Sequence, residues 1–177
     1  MKIGICGSQS VGKTTLLNAL RSEKCFNGYS ICNEVTRTLK EYGIAINEEG
    51  NDLTQKLIMQ QHIYNAVMFD NMLTDRTAID GYVYTKSLYT KHKVHLPVLK
   101  DAHKVMCRIL PMYDYIFYIK PEFAIDDDGV RSADKTWQDE ITTLFDSTIQ
   151  ENQINVVNLS GSVRERVNTV LKTIGEL

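Results

Sequence analysis

Nine consecutive residues near the start of the chain, Gly7-Ser8-Gln9-Ser10-Val11-Gly12-Lys13-Thr14-Thr15, match the pattern G-x-x-x-x-G-K-[ST] without a gap. Each residue type has a chemical use at that spacing. Gly7 and Gly12 let the backbone bend where a side chain would clash, which turns successive N–H groups toward a common point. Such a cradle binds phosphate oxygens, and the positive end of a helix starting near Lys13 adds to the attraction. Lys13 is long enough to reach the β- and γ-phosphates of a bound nucleotide. The Thr14 hydroxyl is a ligand for Mg²⁺, and Thr15 supplies a second hydroxyl near the α-phosphate. The expected ligands are therefore a nucleotide with a phosphate chain and Mg²⁺.

Three further groups of residues could act beside this loop. Asp75-Arg76 ends a short apolar run, Met72-Leu73-Thr74. An acid at such a strand tip can hold the metal or its water, or accept a proton from an attacking hydroxyl. The planar fork of Arg76 suits a phosphate or a substrate hydroxyl. Glu34 and Arg37 lie three apart on an expected helix capped by Asn33, and so share a face that binds substrate. Arg131 follows the acidic run Asp126-Asp127-Asp128-Gly129 in a polar stretch, 121–135, read as a lid. From there it would stabilise charge on the transferred phosphoryl group.

The elements needed to position these residues can be read from periodicity. Strands are expected at 2–6, 30–32, 72–75, 115–119 and 154–159, separated by helical patterns. That alternation predicts an α/β fold, a mostly parallel five-stranded sheet flanked by helices. A long helix from a capping box at Asp52–Gln55 to about Asn71 carries Leu53, Leu57, Ile63, Tyr64, Val67 and Met68, read as its core stripe. Gln60 and Gln61 are placed toward the crevice. Lys86, Lys91, His92, Lys93 and His95 read as a solvated basic face. Ser162–Glu165 is a capping box for the last helix.

With 177 residues, the chain suits a single domain spanning 1–177. The 20 basic and 22 acidic side chains nearly balance, which gives no electrostatic reason to expect strong nucleic-acid binding. Cys6, Cys25, Cys32 and Cys107 have no C-x-x-C spacing and are expected to be buried and reduced, as in a cytoplasmic protein. No membrane span or signal peptide is apparent. Ile119-Lys120-Pro121-Glu122 does not supply the guanine-recognition motif that a GTPase switch needs after its fourth strand.

Taken in order, Gly7–Thr15, Asn33–Arg37, Asp75-Arg76 and Asp128–Arg131 resemble the stand-alone P-loop kinases. The chain is most similar to the AAA-domain group that includes the nicotinamide riboside kinase domain, with a further similarity to thymidylate kinases. It departs from the latter at Thr77, where an aromatic residue usually follows Asp-Arg. The resemblance implies a P-loop NTPase fold with a flexible lid, ATP as donor and a nucleoside, nucleotide or similar small acceptor. It also implies that Asp75 and Arg76 face that acceptor, with Glu34 and Arg37 near it and Arg131 in the lid. A kinase of nucleic acid and a nucleotide-binding module without turnover carry the same motifs. A homodimer is compatible with the sequence.

Overall fold

The structure, a computed structural model, describes residues 1–122 and 135–177. Its strands are β1 (Lys2–Cys6), β2 (Ser30–Cys32), β3 (Met72–Asp75), β4 (Tyr115–Ile119) and β5 (Val157–Leu159). They form one sheet in the order β2-β3-β1-β4-β5, with every pairing parallel. β3 and β4 are short runs of largely buried apolar residues, as strands covered on both faces must be. Only β5 departs from the expected bounds, because pairing with β4 begins at Phe117 opposite Val157.

The helices are α1 (Lys13–Arg21), α2 (Thr36–Glu41), α3 (Asp52–Met68), α4 (Ala78–Thr90), α5 (Leu96–Ile109), α6 (Lys135–Glu151) and α7 (Val163–Ile174). Two apolar layers hold them to the sheet. Ile3, Ile5, Leu73 and Phe117 meet Leu16, Leu17 and Leu20 of α1 and Val167 and Val170 of α7. Cys6, Met72, Ile116 and Tyr118 face Ile79 and Val83 of α4, Met106 of α5 and Trp137, Ile141 and Phe145 of α6.

The long helix α3 is rotated relative to the expectation. Leu53, Tyr64, Val67 and Met68 are 59%, 51%, 58% and 59% exposed, and Ile63 is exposed too. The buried face is Gln55, Ile58, Met59, His62, Asn65 and Ala66. Apolar residues occur nearly all round this helix, so periodicity offers two candidate stripes, and packing against α4 and α5 chooses the more polar one. Its cap is also displaced: Asn51 accepts from the N–H groups of Leu53 and Thr54 at 3.0 and 3.2 Å, rather than Asp52 capping. Asp52 is instead taken by His95, which donates its backbone N–H at 2.9 Å. Gln60 is exposed, and only Gln61 reaches the crevice. Cys6 and Cys32 are buried, but Cys25 is half-buried and Cys107 exposed.

Because β1 and β3 are direct neighbours with Ile5 opposite Asp75, the phosphate loop and the acidic strand tip emerge side by side. The segment after β2 joins them from the far side of β3. Open parallel sheets bind ligands at the carboxyl ends of their strands, and the chemistry-bearing residues gather there.

Candidate nucleotide and acceptor site

The loop after β1 takes the conformation its glycines permit. Gly7 has φ 144°, and a Cβ there would lie 2.3 Å from the Ile119 carbonyl oxygen. Gly12, at φ 87°, starts α1. Side chains from later elements brace the loop. Gln138 of α6 donates to the Gln9 carbonyl at 2.7 Å, and Thr142 donates to the Ser8 hydroxyl at 3.1 Å. Arg166 of α7 donates to the Val11 carbonyl at 2.8 Å. The Tyr84 hydroxyl donates to Gln9 Oε1 at 2.9 Å. The loop is therefore held open by α4, α6 and α7 rather than by its own residues alone.

Lys13 is buried, and its ammonium donates to the carbonyls of Gly7 and Ser8 at 2.8 and 2.6 Å. Burial, followed by the nearby Arg76 charge, lowers its pKa from 10.5 to about 8. This yields a prediction. In the free protein Lys13 loses its proton as pH rises through about 8, so affinity for a nucleoside triphosphate should fall above that pH by up to about tenfold per unit. Calorimetric titration with a non-hydrolysable ATP analogue across that range tests it, and an affinity that stays level would refute the assignment.

Thr14 and Asp75 meet across the β1–β3 junction. The Thr14 hydroxyl donates to Asp75 Oδ2 at 2.5 Å. Asp75 Oδ1 is buried and has no hydrogen-bond partner among the described residues. A buried carboxylate oxygen without a partner is costly unless a ligand completes it. A hydroxyl and a carboxylate, both hard oxygen donors, suit Mg²⁺, which takes few protein ligands and keeps water and phosphate oxygens.

Arg76 is the centre of a charged cluster. Its Nε donates to Glu34 Oε1 at 2.6 Å, and its Nη1 lies 3.5 Å from Asp80 Oδ1. Its guanidinium carbon sits 4.9 Å from the centre of the Tyr84 ring. The backbone there has φ 83°, a strained value for a residue with a side chain. Asp80 holds the turn in place: it accepts from the Thr77 N–H at 2.8 Å and from the Gly7 N–H at 3.4 Å. One carboxylate thus touches both the phosphate loop and the Arg76 turn. Burial raises the Asp80 pKa. Burial would also raise Glu34, but the Arg76 and Lys13 charges, with hydrogen bonds from Thr36 and Arg76, bring it down to about 2.

Beyond this cluster the crevice continues inward as a cavity holding about 570 Å³ of space, part of it open to solvent. Glu34, Asp75, Arg76 and Asp80 line it together with Gln55, Gln61, His62 and Asn65 of α3.

The expected site residues fall into three groups. Glu34, Asp75 and Arg76 line the cavity, and the loop Gly7, Ser8, Gln9, Ser10, Val11, Gly12, Lys13, Thr14 adjoins it through the Thr14–Asp75 and Gly7–Asp80 contacts. Thr15 lies on the exposed side of α1, and Arg37 is exposed and does not line the cavity. Glu34 and Arg37 do not form a pair on a first helical turn, because α2 begins only at Thr36 and Glu34 is taken by Arg76. Arg131 and most of the 121–135 segment lie outside the described residues. Asp80, His62, Gln55, Tyr84, Gln138 and Arg166 carry no motif. Only the capping pattern Thr77–Asp80 was available to signal one of them.

A 2-3-1-4-5 parallel sheet, a glycine loop closing onto α1, and a Thr–Asp pair across adjacent strands define a P-loop nucleotide-binding domain. The model of a family described as an AAA domain matches residues 2–166, and the chain belongs to that family. Among solved structures, the fold is similar to deoxyadenosine kinase from M. mycoides with dCMP and dCDP bound. That match has TM-score 0.75 and 14% identity, covering 99% of this chain and 98% of that one. It is also similar to NadR protein in complex with NR, with TM-score 0.73 and 18% identity, covering 98% of this chain and 51% of that one. The chain thus spans about half of NadR. No curated protein matches it in sequence. Among the described residues, no helix is long and apolar enough to cross a membrane.

Proposed function

We propose that this protein is an ATP- and Mg²⁺-dependent kinase that transfers the γ-phosphoryl group to a hydroxyl of a nucleoside-type acceptor. The observation that carries this reading is the continuity of the crevice. Asp75, in contact with Thr14 on the phosphate side, also lines the cavity that runs inward past Glu34 and Arg76. A donor phosphate on the loop and an acceptor hydroxyl in the cavity would meet there.

Charge favours a nucleoside over a nucleotide. Among the described lining residues, three carboxylates, Glu34, Asp75 and Asp80, face one guanidinium, Arg76, which already pairs with two of them. A phosphate on the acceptor would meet net negative potential. The names of the similar structures, a deoxyadenosine kinase and NadR with NR, agree with such an acceptor.

In this reading the loop N–H groups and Lys13 hold the β- and γ-phosphates. Thr14 and Asp75 would hold Mg²⁺, which supplies charge neutralisation at the phosphate oxygens. Glu34 orients the acceptor hydroxyl, together with any face of Asp75 left open. The acceptor oxygen bonds to the γ-phosphorus as the bond to the departing ADP oxygen breaks. The hydroxyl proton passes to a carboxylate or to water. Phosphoryl transfer needs little more than positioning and charge neutralisation. Arg131, assigned on sequence grounds, would add charge from the lid, and the setting would be cytoplasmic.

The test is ADP release from ATP and Mg²⁺ with a panel of nucleosides, their 5′-monophosphates and oligonucleotides. Stimulation by a nucleoside is expected. Stimulation only by oligonucleotides, or none with ATP still bound, would replace this reading. Asp75→Asn should raise the Mg²⁺ concentration for half-maximal rate by about tenfold or more, since one charged ligand is lost. Its affinity for metal-free nucleotide should stay close to wild type. An unchanged Mg²⁺ requirement would remove Asp75 from the metal site.

A further inference from the structure

The inner end of the cavity contains a polar group that the reading above does not use. His62, on the buried face of α3, is 5% exposed. Its Nε2 lines no hydrogen bond: the atom is buried and has no partner among the described residues. Native proteins rarely leave such an atom unpaired, and when they do a ligand or water commonly completes it.

The surroundings define what that ligand would be. Gly81 faces the imidazole edge, and a Cβ there would come within 3.1 Å of His62 Cδ2 and 3.4 Å of Nε2. A glycine inside a helix costs about 1 kcal/mol relative to alanine, and here it lets the ring edge pack against α4 where a Cβ would crowd it. Met59 contributes to the same requirement, since its sulfur would be 2.4 Å from that Cβ. On the α3 side the neighbours are uncharged amides. Gln61 Nε2 donates to Asn65 Oδ1 at 2.7 Å, which fixes both amide planes. Gln55 Oε1 accepts from Thr85 Oγ1 at 2.9 Å, which fixes a third. Burial, then the Arg76 charge, lowers the His62 pKa to about 3, so the ring is neutral at any working pH.

We propose that His62 is a specificity-determining residue of the acceptor pocket, its Nε2 hydrogen-bonding an uncharged amide or amino-heterocycle edge of the acceptor. The hydroxyl to be phosphorylated then points back toward Glu34 and Asp75. This inference rests on the kinase reading for its placement of the acceptor, but not for the existence of the binding contact.

Two measurements separate the two ideas. The first needs no turnover. In protein carrying ¹⁵N-labelled histidine, the His62 Nε2 resonance, assigned by its loss in His62→Gln, is followed while nucleosides of each base and nicotinamide riboside are added at millimolar concentration without ATP. The resonance should move with at least one nucleoside. If none moves it, the proposal fails whatever the protein catalyses.

The second measurement uses steady-state kinetics with the best acceptor. His62→Leu removes the polar atom at similar volume. It should raise KM for the acceptor about tenfold or more, with KM for ATP unchanged and kcat little altered. His62→Gln, which keeps a neutral hydrogen-bonding tip, should recover much of that loss. A purely structural histidine predicts the opposite pattern: unchanged acceptor KM and unchanged ranking of acceptors in both variants. If the resonance moves but no ADP appears with any acceptor, the kinase reading falls while the binding contact stands.

Discussion

Lys13→Met is expected to abolish phosphoryl transfer and at the same time leave the fold as stable as before, or more so. The loss follows from geometry. Among the described residues Lys13 is the one ammonium bonded to the loop, and removing a single preorganised donor from a transferring group typically costs about 10²–10³ in rate. The gain in stability follows from desolvation. The folded protein holds this amine at a pKa of about 8 against 10.5 when solvated. A lysine whose folded pKa is depressed opposes folding at neutral pH, by about 3 kcal/mol at 1.36 kcal/mol per unit, and the cost fades as pH rises from 8 toward 10.5. Part of that gain is offset by the two carbonyl hydrogen bonds that methionine cannot make. Turnover and urea unfolding, measured on the same preparation, test both halves. An active variant would remove Lys13 from the machinery. An inactive variant that is strongly destabilised would show that the carbonyl bonds outweigh the buried charge.

Arg76→Ala should be the most destabilising change at the site. Arg76 lies between Glu34 and Asp80, all three buried. Without it two carboxylates face each other across a low-dielectric crevice. Breaking a buried ion pair by removing one partner costs about 3–5 kcal/mol, a large share of the roughly 5–15 kcal/mol that holds a domain together. The Glu34 pKa gives a consistent figure: a drop from 4.5 to about 2 corresponds to about 3 kcal/mol.

The sign of the pH dependence is fixed by these shifts. Glu34 is depressed in the fold, so its contribution is complete above pH 4.5 and is lost as pH falls toward 2. His62, depressed from 6.5 to about 3, costs nothing above 6.5 and opposes folding increasingly as pH falls through that interval. Wild type should therefore weaken steadily in acid. Arg76→Ala, which raises both pKa values, should weaken less steeply because the contribution is already gone. Arg76→Lys should restore little, since one ammonium cannot reproduce the fork that reaches both acids. Arg76→Gly should be about 1 kcal/mol more stable than Arg76→Ala, because the φ of 83° no longer strains a Cβ. Unfolding midpoints across the pH range decide the matter. Equal stability of wild type and Arg76→Ala at neutral pH would overturn this account.

The two regions of the site differ in how much of them the sequence alone could reveal. The phosphate loop is local in its chemistry: nine consecutive residues supply the cradle, which α4, α6 and α7 brace, and the glycines, lysine and threonine are required by stereochemistry wherever such a loop forms. Strand positions were equally local, since short buried runs such as Tyr115–Ile119 have few other uses. The pocket proposed to take the acceptor is not local. It is assembled from the end of β2, the face of α3, the tip of β3 and the first turns of α4. One Asp80 oxygen caps the start of its own helix, but the other reaches Gly7, 73 residues away in sequence.

The amino-acid sequence by itself determined the nucleotide half of this protein: the loop, the parallel sheet and the acid at the tip of β3, because backbone sterics and burial dictate them within a few residues. Tertiary structure alone decided the half proposed to hold the acceptor. The rotation of α3 depends on which of two apolar stripes packs better against α4 and α5, and neither is marked in the chain. That rotation leaves Leu53, Tyr64 and Met68 exposed, turns Gln55, Gln61, His62 and Asn65 into the cavity, and so sets what the pocket can recognise.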